Sequence, residues 1–216
     1  MRYVLPLVGL LLLCSIESSA QPGWVIQNPF GTPTINGLHA VHFFDASVGM
    51  AVGDVGTILR TTDAGSTWVS QSSGTTSGLY GVSFLDASIG TIVGTSGTIL
   101  RTTDAGATWV SQTSGTTDFL SGVSLGNANT GVAVGFKEDF SSGTLLRTTD
   151  GGSTWERQST VQLLNDVAFS DPLTATVVGN RGTILRTTDG GAEWFAQTSG
   201  ASDALNDVSF TDNNHG

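Results

Sequence analysis

Four stretches of the chain hold an acid in the same setting: Thr61-x-Asp63-x-Gly65-x-Thr67-Trp68, Thr102-x-Asp104-x-Gly106-x-Thr108-Trp109, Thr148-x-Asp150-x-Gly152-x-Thr154-Trp155 and Thr187-x-Asp189-x-Gly191-x-Glu193-Trp194. A carboxylate so placed could bind calcium or shape a turn. Calcium gathers about six to eight oxygens, and one carboxylate per stretch is too few. The turn is the better reading: the carboxylate accepts backbone N–H bonds, the glycine takes a left-handed conformation, and the tryptophan packs into the sheet interior. The last copy departs by placing Glu193 where the others have threonine. Arg60, Arg101, Arg147 and Arg186 each stand three residues before one of these acids. A guanidinium at a fixed address can grip a carboxylate or a main-chain carbonyl, or it can cap a neighbouring repeat. His39, His42 and His215 share no metal-like spacing, and no serine or cysteine nucleophile motif occurs, so neither a metal nor a cofactor is expected.

The elements that must position these residues repeat with them. Leu38, Leu79, Leu120 and Leu164 open four copies about 40 residues apart, and a fifth opens at Leu205 with LNDVSFTDNNHG. Within the first copy, Leu38, Val41 and Phe43 mark an apolar strand and Met50 to Val52 a second. Gly53-Asp54-Val55-Gly56 reads as a tight hairpin with glycine supplying positive φ at its ends. Thr57 to Thr61 forms the third strand, with Ile58 and Arg60 on one face, and Thr67 to about Ser72 the fourth. No window has helical periodicity. The sequence therefore predicts an all-β protein, a β-propeller of four-stranded blades, because such sheets bury both faces only by stacking radially. Blade 1 spans 38–78, blade 2 79–119, blade 3 120–163 and blade 4 164–204, with a truncated blade 5 at 205–216. The chain reads as part of a ring of six to eight blades. Residues 21–37 include GWVIQNPFGT, which matches a fourth strand and would close the last blade through Trp24 to Phe30.

Residues 1–20 combine Arg2, an apolar run from Val4 to Ile16 and Ser18-Ser19-Ala20, the pattern of a secretory signal peptide. The protein is expected to be exported to the periplasm, the cell surface or beyond, with no membrane span. Cys14 is the only cysteine and lies in that segment, so stability rests on packing rather than disulfides. A net charge of −10 disfavours nucleic acid as a partner.

The repeated turn is the Asp-box of the bacterial neuraminidase repeat. The wider unit, with its LxxVxF opening, AVG second strand, GTILRTTD third strand and GGxTW turn, resembles the photosystem II stability and assembly factor family over residues 24–216. That resemblance implies a propeller, usually seven-bladed, without enzymatic activity, which binds a protein partner such as a membrane-protein intermediate. It also implies that an arginine patch serves that partner, which makes Arg60, Arg101, Arg147 and Arg186 candidates. His39 and Tyr80 join them, because the residue after the leading leucine varies from copy to copy (Ser121, Asn165 and Asn206 follow), and this strand lines a propeller's channel. Lys137, the sole lysine, sits with Phe136 and Phe140 in an insertion peculiar to the third copy. The rival is a secreted glycoside hydrolase or glycan-binding propeller of the Asp-box class. A sialidase would need a tyrosine nucleophile and three further arginines, whereas beyond residue 20 only Tyr80 is present and only Arg157 and Arg181 lie outside the repeated address. An ordinary glycosidase needs two carboxylates in a cleft. Asp54, Asp118, Glu138, Asp139, Glu156, Asp166, Asp203 and Asp207 are not tied to turns, and they sit in compact repeats without long loops.

Overall fold

The computed structural model describes residues 36–216. The signal peptide and the closing strand expected at Trp24 to Phe30 lie outside the described residues. Sixteen strands form four antiparallel sheets of four, each in sequence order. The first sheet is β1 (Leu38–Phe43), β2 (Gly49–Gly53), β3 (Thr57–Thr61) and β4 (Val69–Gln71); the second is β5 (Leu79–Phe84), β6 (Gly90–Gly94), β7 (Ile99–Thr102) and β8 (Val110–Gln112). The third is β9 (Phe119–Leu125), β10 (Gly131–Phe136), β11 (Gly143–Thr148) and β12 (Glu156–Gln158); the fourth is β13 (Leu164–Phe169), β14 (Ala175–Gly179), β15 (Thr183–Thr187) and β16 (Phe195–Gln197). These are propeller blades, and no α-helix occurs among the described residues.

The core lies in the seams between blades. Met50, Val52 and Ile58 of the first blade pack against Leu79, Phe84, Ile92 and Leu100 of the second. Val93 and Ile99 then meet Leu120, Val123, Ala133, Leu146 and Trp155. Val132, Val134 and Leu145 meet Leu164, Val167 and Val177. One face of each sheet thus covers the opposite face of the next, and Leu79, Leu120 and Leu164 are fully buried. Each such leucine contributes roughly 2 kcal/mol by leaving water. Leu38, at the same address in the first blade, stays 49% exposed because no described blade precedes it.

Two local expectations are corrected. The fourth strands are shorter than Thr67 to Ser72, because Thr67 and Trp68 belong to the Asp-box turn. In the β2–β3 hairpin Gly53 is extended, and the left-handed positions are Val55 (φ 55°) and Gly56 (φ 66°). Positive φ at both central residues gives the turn that follows the right-handed twist of its strands. A Cβ on Gly56 would also lie 2.0 Å from the Thr75 carbonyl oxygen, so only glycine fits there. Ser96 and Arg181 occupy the position of Val55 in later blades.

Residues 205–216 form no strand beyond an Asp212–His215 bridge. They are tied to blade 4 instead: Leu205 N donates to the Gly179 carbonyl, Asn165 Nδ2 to the Leu205 carbonyl, and Val208 N to Asp166 Oδ2.

Candidate functional site at the channel mouth

The first strand of every blade carries one residue too many for its partner. Leu38 pairs with Gly53 and Ala40 with Val52, which leaves His39 unpaired. Tyr80, Ser121 and Asn165 are left over in the same way. A β-bulge of this kind adds twist and re-aims a side chain. It also reconciles Leu79 and Val82, three apart in sequence, with one core-facing side of a strand whose period is two. The sequence signal was the LxxVxF spacing, which pure alternation cannot accommodate. The bulged residues open onto the channel between the first strands, a cavity of ≈ 700 Å³ lined by His39, Tyr80, Ser121, Asn165 and Asn206 among others.

Aromatic rings form a continuous row from this mouth outward. His39 stacks on Tyr80 at 4.1 Å and 8°, while its Nε2 lies 2.8 Å from Asp54 Oδ1. Tyr80 meets Phe119 edge to face at 4.6 Å. Phe119 stacks on Phe136 at 4.9 Å, and Phe136 on Phe140 of the insertion at 5.1 Å. The row crosses three blades and ends on Phe140, which is 64% exposed. Phe140 itself holds φ 56°, fixed by its N–H donating to the Lys137 carbonyl. The insertion therefore does more than lengthen a hairpin: it extends the row past the edge of its sheet. Phe119 was missed at the sequence level, because it stands one residue ahead of the repeated leucine.

The other side of the same cavity is acidic. The residue after the bulge is Ala40, Gly81, Gly122 and Asp166 in successive blades, and Asp207 holds the same place in the fifth copy of the repeat. Small residues let the first strands of neighbouring blades approach closely: a Cβ on Gly81 would lie 3.0 Å from the Ser121 carbonyl oxygen, and one on Gly122 2.6 Å from Asp166 Oδ1. From blade 4 onward the address holds carboxyls. Asp207 lines the same cavity, and burial of Asp166 together with that neighbouring carboxyl pushes its pKa up to about 7. Neither acid is in an ion pair among the described residues.

The arginines face elsewhere. Arg101 is nearly buried and donates from Nη2 to the Ala128 carbonyl of the next blade at 2.7 Å. Arg147 donates from Nε to the Gly190 carbonyl of the next blade, also at 2.7 Å. Arg60 has its Nε buried without a hydrogen-bond partner among the described residues, and Arg186 is half-buried. They stand at equivalent places in their blades, and two of them fasten blade to blade. Lys137 is exposed at the turn of the insertion.

The Asp-box acids hold turns. Asp63 Oδ1 accepts from the Thr61 hydroxyl (2.8 Å) and Thr67 N–H (2.8 Å), and Oδ2 from the Thr67 hydroxyl (2.6 Å), while Gly65 N–H donates to the Thr61 hydroxyl oxygen (2.9 Å). Asp104 and Asp150 repeat this set, and the hydroxyls and N–H groups of Thr108 and Thr154 lower their pKa values to about 2. Gly106, Gly152 and Gly191 share the left-handed conformation of Gly65. Trp109, Trp155 and Trp194 pack in the seams between blades, whereas Trp68 meets Phe43 of its own blade edge to face at 6.1 Å. Trp155 Nε1 donates to Gln112 Oε1 and Trp194 Nε1 to Gln158 Oε1, each glutamine being in the preceding blade.

Residues 70–160 match the family model described as photosynthesis system II assembly factor YCF48. No curated protein matches the chain in sequence. Among solved structures, "YCF48 bound to D1 peptide" superposes with a TM-score of 0.52 at 16% identity, covering 83% of this chain and 89% of that one. YCF48 from Cyanidioschyzon merolae gives 0.51 at 16% identity, covering 84% and 92%. The GH74 enzyme of Niastella koreensis gives 0.59 at 18% identity, covering 76% of this chain but 30% of its own length. The chain thus resembles the assembly-factor-like propellers of the Asp-box class, and the solved structures share its fold.

Proposed function

We propose that this chain is an exported, non-catalytic propeller that binds a protein partner at its channel mouth. The observation that carries this reading is the aromatic row His39–Tyr80–Phe119–Phe136–Phe140, held on a frame that Arg101, Arg147 and the Asp-box acids fasten. Rings at a concave mouth supply large contact area at small entropic cost. The match to an assembly-factor family, and a solved relative holding a peptide, support a protein partner, and a membrane-protein intermediate fits that class. The segment 1–20 supports export.

Asp166 and Asp207 are the observation that favours a glycosidase, given the GH74 likeness. Glycosidic cleavage needs carboxyls about 5–10 Å apart so that the bond or a water fits between them. Asp207 stands beside Asp166 in the wall of the same cavity, close enough to raise its pKa, and an assay of sugar hydrolysis separates the two readings.

The test is affinity capture from the parent cell's envelope with the full chain and with Tyr80→Ala/Phe140→Ala, alongside an assay of xyloglucan hydrolysis. A polypeptide retained by the native chain and lost by the variant, with no sugar released, is the expected result. Hydrolysis abolished by Asp166→Asn would replace this reading with the glycosidase. Recovery of the secreted protein with Gln21 as its N-terminus would establish export, and an uncleaved cytoplasmic chain would remove it.

A further inference from the structure

The channel mouth has two unlike walls, and together they specify the chemistry of what enters. We propose that its occupant is a basic segment of a polypeptide in extended conformation, with apolar side chains on the aromatic row and a lysine or arginine at the carboxyls of Asp166 and Asp207. This rests on the protein-binding reading above and adds the character of the partner.

The first argument is geometric. Tyr80, Ser121, Asn165 and Asp166 border one cavity, so a single segment reaching into it meets rings on one side and acids on the other. The row runs outward from that cavity to Phe140, whose ring is 64% exposed at its end. That gives an apolar track leading to an acidic end.

The second argument is charge complementarity. Of the cations near the row, Arg157 Nη1 lies 2.7 Å from Asp118, and Lys137 is exposed in the insertion with Asp139 beside it; His39 Nε2 lies 2.8 Å from Asp54 Oδ1. Asp166 and Asp207 have each other and a main-chain donor at Val208, and among the described residues no cation. Two adjacent carboxyls are better matched by one ammonium or guanidinium than by a further acid. A chain of net charge −10 draws a basic segment in at long range and repels an acidic one. A neutral glycan fits less well, since Tyr80, Phe119 and Phe136 lie against one another, and the faces so covered are those on which a sugar ring would stack.

The test uses the full chain and three fluorescent probes of one length: a peptide alternating lysine with leucine, the same peptide with glutamate for lysine, and a xyloglucan oligosaccharide. We expect the lysine peptide to bind, more weakly at high salt, and its affinity to fall about tenfold in Phe140→Ala and again in Asp207→Asn. Both residues are exposed, so the variants fold, which circular dichroism verifies. Equal or tighter binding of the glutamate peptide or the oligosaccharide overturns the proposal, as does lysine-peptide binding unchanged in both variants. A photo-crosslinking residue at position 140, used in envelope extract, separates this failure from that of the parent reading. A crosslinked polypeptide whose labelled segment is acidic overturns only the basic partner, whereas labelling of no polypeptide overturns protein binding itself.

Discussion

Each Asp-box acid accepts from two threonine hydroxyls and a main-chain N–H, except Asp189, where Glu193 brings an N–H and no hydroxyl. Restoring the pattern with Glu193→Thr is expected to stabilise the protein by about 0.5–1 kcal/mol, the worth of one hydrogen bond, as read from the midpoint of urea unfolding. The same bonds set a pH dependence. Asp104 and Asp150 have folded pKa values of about 2 against an ordinary 3.8, so the stability they confer is complete above that value. It is lost as pH falls from 3.8 towards 2, and unfolding midpoints across that window should drop less in Asp104→Asn. That these acids shape turns was legible from spacing alone, because the motif places glycine and threonine at fixed offsets from each carboxylate. The seam position of the tryptophans was not legible, since it depends on Gln112 and Gln158, which lie in the preceding copy and look like ordinary strand polars.

At the level of the blade, the glutamine of the fourth strand latches one sheet to the next. Gln112 accepts from Trp155 Nε1 and donates to the Gly151 carbonyl, and Gln158 does the same with Trp194 and Gly191. The seam between blades 1 and 2 lacks this latch: Trp109 Nε1 has no partner, and the Met50 methyl lies against Gly106, where an added Cβ would be only 2.5 Å from it. Gln112→Ala should therefore cost about 1–3 kcal/mol by orphaning the Trp155 N–H, while Gln71→Ala should cost well under 1 kcal/mol; paired unfolding curves compare them. Strand number, order and type were readable from the repeat, because four copies in phase reinforce a pattern that one copy leaves ambiguous. The bulges were hidden, as a surplus residue shows only when the register of both strands is known. Since the bulge aims His39 and Tyr80, half of the site was nameable by position while its assembly into a row was not.

Across the whole arc the two ends differ in what they ask of the solvent. Blade 1 leaves Leu38, Val41 and Phe43 at 49%, 61% and 45% exposure, whereas blade 4 is met by the stretch that starts at Leu205. That stretch leans on Asp166. With a folded pKa of about 7 against 3.8, Asp166 binds its proton more tightly in the folded state, so its contribution to stability is fullest below 3.8 and declines as pH rises towards 7. Unfolding midpoints should accordingly fall as pH rises from 4 to 7, and Asp166→Asn should flatten that response. From the opposite slopes of Asp166 and of the Asp-box acids, unfolding midpoints measured across pH are expected to peak in mildly acidic solution. The bulges have a consequence of another kind. A residue that belongs to no ladder pair can be exchanged without disturbing strand register, so the mouth works like a row of interchangeable keys on a fixed keyboard. Selection, or an engineer, can rewrite what the channel recognises one blade at a time while the instrument itself stays in tune.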